Sequence, residues 1–92
     1  MTRADASSPV TLRAAVEVVT AAFRDAGIET PGLDARRLVL GLVGLDGAAL
    51  LRAPERLLTI DQRAGIEAAC ARRLRHEPVS RILGCRAFHG LD

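Results

Sequence analysis

Thr59-Ile60-Asp61-Gln62-Arg63-Ala64-Gly65-Ile66-Glu67-Ala68-Ala69-Cys70-Ala71-Arg72-Arg73-Leu74-Arg75 carries its own start and stop signals. Thr59 and Gln62 form a capping box, in which the hydroxyl accepts from the Gln62 N–H and the Gln62 amide oxygen reaches back to the Thr59 N–H. Asp61 suits the positive end of the helix dipole, and Arg72, Arg73 and Arg75 suit the negative end. Ile66, Ala69, Cys70 and Leu74 recur at helical spacing and make a narrow apolar stripe. The segment reads as a helix running to about Arg75.

The same reading extends upstream. Leu12, Val16, Val19, Phe23 and Ala26 fall at steps of four, three, four and three, which is one helical stripe. Ser8 or Thr11 is the expected cap, with Pro9 in the first turn. Gly27 is the expected stop, because a left-handed residue costs glycine little. After the turn Thr30-Pro31-Gly32, a second helix is predicted over about Leu33 to Val43. Its buried face is Ala35, Leu38, Val39, Leu42 and Val43, widened by Leu40, and Gly44 ends it. A short third helix, capped by Asp46 and carrying Leu50 and Leu51, stops near Ala53, since the residue before Pro54 is pushed away from helical geometry.

Downstream, Glu77-Pro78 opens a fifth, short helix with Pro78 at its first position, Ile82 and Leu83 pointing inward and Gly84 as its stop. Cys85 to Asp92 then reads as extended. The predicted fold is all-α, a small antiparallel bundle of about five helices with a short strand-like C-terminal tail. Residues 1–10 are expected to be a flexible N-terminus, residues 11–84 the bundle, and residues 85–92 the start of something further.

Composition agrees with this assignment. The only aromatic residues are Phe23 and Phe88, so the core is built from Leu, Val, Ile and Ala. Ninety-two residues allow one modest core and no second. Every basic residue is Arg, and there is no Lys. Up to residue 71 there are eight Arg and nine acids, a net charge of −1; from residue 72 there are five Arg and two acids, a net charge of +3. A positive end of this kind suits an acidic protein partner or a phosphate backbone. The residues in question are Arg72, Arg73, Arg75, Arg81 and Arg86, with Phe88 and His89 beside them as possible partner or interdomain contacts. There is little aromatic interleaving for single-stranded nucleic acid, which argues against that partner.

No catalytic constellation is complete. The chain has no Gly-x-Gly-x-x-Gly, no His-Glu-x-x-His and no Gly-x-Ser-x-Gly, and a phosphate loop ending in Gly-Lys-Ser/Thr is impossible without Lys. Cys70, His76, Cys85 and His89 are zinc-ligating residue types, but the two cysteines stand fifteen apart rather than in a close pair. Cys70 on an apolar stripe reads as a small buried hydrophobe. The longest apolar run, Leu38 to Leu45, is far short of a membrane span. With no secretory signal and no disulfide pattern, the expectation is a soluble, cytoplasmic protein without metal or membrane contacts.

One stretch resembles a known family. Glu77-Pro78-Val79-Ser80-Arg81-Ile82-Leu83-Gly84, three residues, then Phe88-His89-Gly90-Leu91 is similar to the end of the N-terminal domain of the release-factor glutamine methyltransferases. Their pattern is roughly Glu-Pro-Val/Leu-Ala-Tyr-Ile-x-Gly, three residues, then Phe-Trp/Tyr-Gly-Leu. The Leu33-Asp34-Ala35-Arg36-Arg37-Leu38-Val39-Leu40 run and the segment from Leu58 through the Arg-rich helix end also look similar. Arg81 stands where the family often has Tyr, His89 where it often has Trp or Tyr, and Ala87 where an acid is common.

The resemblance implies an S-adenosylmethionine-dependent protein-(glutamine-N5) methyltransferase acting on the Gly-Gly-Gln motif of peptide chain release factors. It implies that the helical bundle helps engage the release factor, while a downstream Rossmann-like domain binds the cofactor and holds the glutamine at an Asn-Pro-Pro-Tyr motif. Neither the Gly-rich loop nor that motif occurs in these 92 residues, so no catalytic or cofactor-binding residue is assigned. On this reading residues 85–92 begin a linker hairpin to a missing catalytic domain. The rival expectation is a free-standing helical adaptor or nucleic-acid-binding module using the Arg-rich end.

Overall fold

The computed structural model describes residues 10–84. Within them lie α1 (Leu12–Asp25), α2 (Pro31–Val43), the single turn α3 (Ala49–Arg52) and α4 (Ile60–Leu74). Residues 79–84 form a further helical stretch, α5, as far as the description reaches. The helical class expected from the sequence is the observed one. The expectations for Pro9 and for residues 85–92 lie outside the described residues.

The start of α1 shows how the bundle is stitched together. Thr11 caps it, its hydroxyl accepting from the Ala14 N–H at 3.1 Å. The first two helical N–H groups have no partner within the helix and must find one elsewhere. Leu12 donates to the Arg56 carbonyl at 2.8 Å and Arg13 to the Pro54 carbonyl at 3.0 Å. The Leu58 N–H returns to the Val10 carbonyl at 2.9 Å, completing an isolated antiparallel bridge between Thr11 and Leu57. The segment before α4 is therefore pinned to the first turn of α1, and the two helices start side by side. An ion pair, Arg13 Nη2 to Glu55 Oε2 at 2.6 Å, lies over this junction.

Gly27, at φ 83°, closes α1 as expected. Ile28 donates to the Phe23 carbonyl and Gly27 to the Arg24 carbonyl, both at 3.0 Å, which is a Schellman closure. The chain then reverses into α2, whose last turn ends at left-handed Gly44. α2 packs against both α1 and α4. The core is Leu12, Ala15, Val19 and Phe23 from α1, Ala35, Leu38 and Val39 from α2, Ile66 and Ala69 from α4, and Val79 and Ile82 from α5. Phe23, Leu12, Leu38 and Val39 are the largest fully buried side chains.

Several details depart from the sequence reading. On α1, Ala15 takes the core position and Val16 is only half-buried, while Ala26 caps the helix in solvent. α2 begins at Pro31, two residues earlier than expected, because Pro is preorganised for a first turn. Leu40 is buried, but at 100° per residue it lies roughly opposite the stripe of Ala35, Leu38 and Val39. Asp46 does not cap α3; a turn intervenes, the cap position is Ala48, and the Asp46 carbonyl accepts from the Ala49 N–H. In α3 the buried residue is Ala49, and Leu51 points to solvent. In α5 the Pro78 carbonyl accepts the first helical bonds, from Arg81 and Ile82, so Pro78 is a cap rather than the first helical residue.

The α4 stripe is the most instructive departure. Its capping box forms as expected, with Gln62 N to Thr59 Oγ1 at 3.0 Å and Thr59 N to Gln62 Oε1 at 2.9 Å. Seven residues beyond Ile66 on the inward face comes Arg73, and Leu74 beside it is 40% exposed. Arg73 Nε and Nη2 donate to Asp34 Oδ2 at 3.3 and 3.1 Å. Asp34 is the one buried charged residue among those described, and its Oδ1 also accepts from the Thr30 hydroxyl at 3.2 Å. The two side chains are 12% and 20% exposed, so the pair is mostly removed from water.

Asp34→Asn therefore leaves a largely buried guanidinium without its counter-charge and lowers unfolding stability by about 1–3 kcal/mol. Asp34→Asn combined with Arg73→Met recovers most of that loss, because no unpaired charge remains. Urea denaturation of the two single variants and the double variant measures this coupling.

Candidate partner-binding surface

The Arg-rich end expected to face a partner is arranged around Glu77. α4 ends with His76 at φ 75°, a left-handed position held by a residue other than glycine. Glu77 N–H donates to the Arg72 carbonyl at 3.2 Å and His76 N–H to the Arg73 carbonyl at 2.9 Å, again a Schellman closure. Such closures are often sealed by an apolar contact between their ends. Here the seal is ionic: Arg72 Nε and Nη2 donate to Glu77 Oε1 and Oε2 at 2.6 and 3.0 Å. Glu77 Oε2 is also 3.9 Å from Arg81 Nε. The Arg72 hydrogen bonds hold the Glu77 carboxyl below its ordinary range; burial opposes them, and the positive charges of Arg72, Arg81 and Arg75 add to them.

The predicted contact residues thus separate. Arg73 is bound to Asp34 and links α2 to α4. Arg72 is half-buried and engaged with Glu77. Arg75 and Arg81 are exposed, Arg81 with 72% of its side chain in solvent. Arg86, Phe88 and His89 lie outside the described residues.

Two apolar grooves flank α2's neighbours. The first lies between α1 and α4, holds about 230 Å³, and is lined by Val18, Val19, Leu58, Ile66 and Cys70, with Arg63 and Glu67 among its polar members. It arises because α1 and α4 both pack on α2 and diverge from each other. Burial pushes the Cys70 thiol up from its ordinary range, so it behaves as an apolar wall rather than a thiolate.

The second groove, of about 430 Å³, lies on the far face of α2, between that helix and α5. Leu33, Leu40, Leu45 and Leu83 line it, with Arg36 and Arg37 at its edge. Gly41 permits the close approach of α5: a Cβ there would stand 2.8 Å from both Leu83 methyl carbons. Sequence reasoning missed this site by assigning α2 a single buried face. The signal was present in Leu33, Arg36, Arg37 and Leu40, which share the opposite side of the helix.

Among the described residues there is no group of three or more His, Cys, Asp or Glu side chains positioned for a metal ion. His76 and Cys70 are at different places in the fold, and Cys85 and His89 lie outside the described residues. Among the described residues no helix is long and apolar enough to cross a membrane.

The bundle as a unit, from the body of α1 to Gly84, coincides with a family match: residues 14–84 match the PrmC N-terminal domain. The chain belongs to this family. A release factor glutamine methyltransferase of Rhodospirillum rubrum is 46% identical over 67 residues, which are 73% of this chain and 21% of that protein. One from Agrobacterium fabrum is 45% identical over 67 residues, 73% of this chain and 23% of that protein. Another from Bradyrhizobium diazoefficiens is 40% identical over 80 residues, 87% of this chain and 27% of that protein. The chain spans about a quarter of the length of these relatives. No solved structure matches it. Within this PrmC N-terminal domain, the Leu33–Leu40 run that resembled the family holds both the buried Asp34 and the groove residues Leu33, Arg36 and Arg37.

Glu77→Gln weakens the seal at the end of α4 in a pH-dependent way. A carboxyl held below its ordinary value contributes stability above that value and loses it as the pH falls through the folded one. The stability difference between the native chain and Glu77→Gln is therefore full at neutral pH and closes below the usual Glu value of 4.5. Thermal melts of both proteins from pH 7 to pH 3 read it directly. His76→Gly relieves the left-handed strain and raises stability by about 0.5–1 kcal/mol in the same melts.

Proposed function

We propose that this bundle is the release-factor-recognition domain of an S-adenosylmethionine-dependent protein-(glutamine-N5) methyltransferase, whose target is the Gly-Gly-Gln motif of peptide chain release factors. The observation that carries this reading is the family match over residues 14–84, together with relatives called release factor glutamine methyltransferases. In this reading the methyl group comes from S-adenosylmethionine bound by a catalytic domain outside the 92 residues. The work of translation termination that it serves places the protein in the cytoplasm.

The chemistry of the bundle supports a binding role rather than a catalytic one. Its two partly buried ion pairs are structural: Asp34 with Arg73 ties α2 to α4, and Glu77 with Arg72 seals the end of α4. Binding energy gathered at a surface remote from the reacting atoms can orient a large substrate and raise the rate of a distant step. A small rigid bundle ahead of a catalytic domain is suited to that task, since it presents a fixed surface to a folded protein. Among the described residues, the open groove at Cys70 has one raised thiol and no acid–base pair of matched geometry.

The test is competition. Excess of the 92-residue chain, added to the Rhodospirillum rubrum enzyme and its release factor, lowers methylation by raising the apparent KM for the release factor without changing kcat. Methylation of a short Gly-Gly-Gln peptide by the same enzyme is untouched. If the chain leaves release-factor methylation unaltered at concentrations well above that KM, the recognition role is wrong.

A further inference from the structure

The groove between α2 and α5 joins two features that do not usually occur together on an idle surface. Its floor is aliphatic, made by Leu33, Leu40, Leu45 and Leu83, and Leu33 is 47% exposed. Its edge carries Arg36 and Arg37, both exposed, and neither makes an ion pair or side-chain hydrogen bond among the described residues. No Asp or Glu lines the groove. Three other arginines do have close carboxylates: Arg13 with Glu55, Arg72 with Glu77 and Arg73 with Asp34. Arg36 Nη1 lies 3.6 Å from the position a Cβ on Gly32 would take, so this guanidinium leans over the first turn of α2 and adds to the positive end of that helix.

We propose that this groove is the docking site for an acidic amphipathic segment of a protein partner, its apolar side chains on the leucine floor and its carboxylates on Arg36 and Arg37. The inference rests on the recognition reading above, so the partner surface lies on the release factor. Charge complementarity selects the occupant. Planar guanidinium groups hold carboxylates bidentately, and an unpaired pair beside an apolar floor gives both orientation and buried area. A nucleic acid fits less well, because no aromatic side chain lines the groove to stack a base. The groove also owes its shape to the fold rather than to a chance surface. Gly41 lets Leu83 close on α2, and a side chain at that position would force the Leu83 side chain to shift and reshape the far wall.

The experiment uses the ¹⁵N-labelled 92-residue chain and the Rhodospirillum rubrum release factor as the probe. Binding is expected to perturb the amides of Leu33, Gly41, Leu45 and Leu83 more than those lining the α1/α4 groove. The double substitution Arg36→Ala with Arg37→Ala leaves the free spectrum folded, because both side chains are exposed and, among the described residues, neither has an ion pair or side-chain hydrogen bond to lose. It is expected to weaken binding at least tenfold and to flatten its salt dependence. Val18→Glu, in the other groove, stays within twofold of the native chain. The docking proposal is overturned if the Arg36/Arg37 variant binds within twofold, if Val18→Glu carries the loss, or if a single-stranded RNA oligomer displaces the release factor from the same amides. Release-factor binding that ignores the Arg36/Arg37 change sinks the groove and leaves the recognition reading standing. No release-factor binding at all sinks both.

Discussion

The bundle turns on a single charged contact between the first turn of α2 and the last turn of α4. The inward face of α4 repeats every three or four residues, and that repeat brings Arg73, not an apolar side chain, to the position below Ala69. A guanidinium there is tolerable only with a carboxylate in reach. Asp34 supplies it from α2, while its other oxygen is taken by Thr30. Each charge also lies at the helix end whose dipole favours it, the acid near an N-terminus and the base near a C-terminus. The pair therefore fixes which end of α2 meets which end of α4. Packing alone, between small residues such as Ala35 and Ala69, would define that register less sharply.

That register makes α2 the middle helix. α1 is held to it by Phe23, Leu38 and Val39, and α4 by the charged pair and Ile66. α1 and α4 are joined chiefly at their starts, where the backbone of residues 54–58 satisfies the open N–H groups of α1. From there they diverge and leave the first groove. The opposite face of α2 is left for α5, whose approach is admitted by Gly41. A helix buried on two sides has little room for a polar face, and this explains why Arg36 and Arg37 stand at the rim of an apolar surface.

Local signals were legible in proportion to how local their physics is. The Thr59–Gln62 capping box, the Gly27 and Gly44 stops and the end of α3 before Pro54 depend on a few bonded neighbours, and each forms as its residues indicate. Burial was read less well where two helices compete for one face. Ala15 takes the core place expected of Val16, and Leu74 yields its inward place to Arg73. The left-handed His76 was not foreseen, since nothing in a single histidine marks it; the closure of Glu77 onto the Arg72 carbonyl and side chain imposes it. The arginines grouped by sequence proximity divide in space: Arg73 goes to Asp34, while Arg72 and Arg81 lie beside Glu77. Those at the groove, Arg36 and Arg37, belong to a run read for its helical periodicity and its family resemblance rather than for its charge.

The amino-acid sequence by itself determined the helices, their caps and stops, the all-α class and the family to which the chain belongs, because these follow from backbone preferences, periodicity and short motifs. Tertiary structure alone decided which of the described arginines are ion-paired, that Asp34 is buried, and that grooves open between α1 and α4 and between α2 and α5. The reason is that charge pairing and groove shape depend on residues brought together across the chain. Asp34 and Arg73 are 39 positions apart, and no local pattern encodes their 3.1 Å contact.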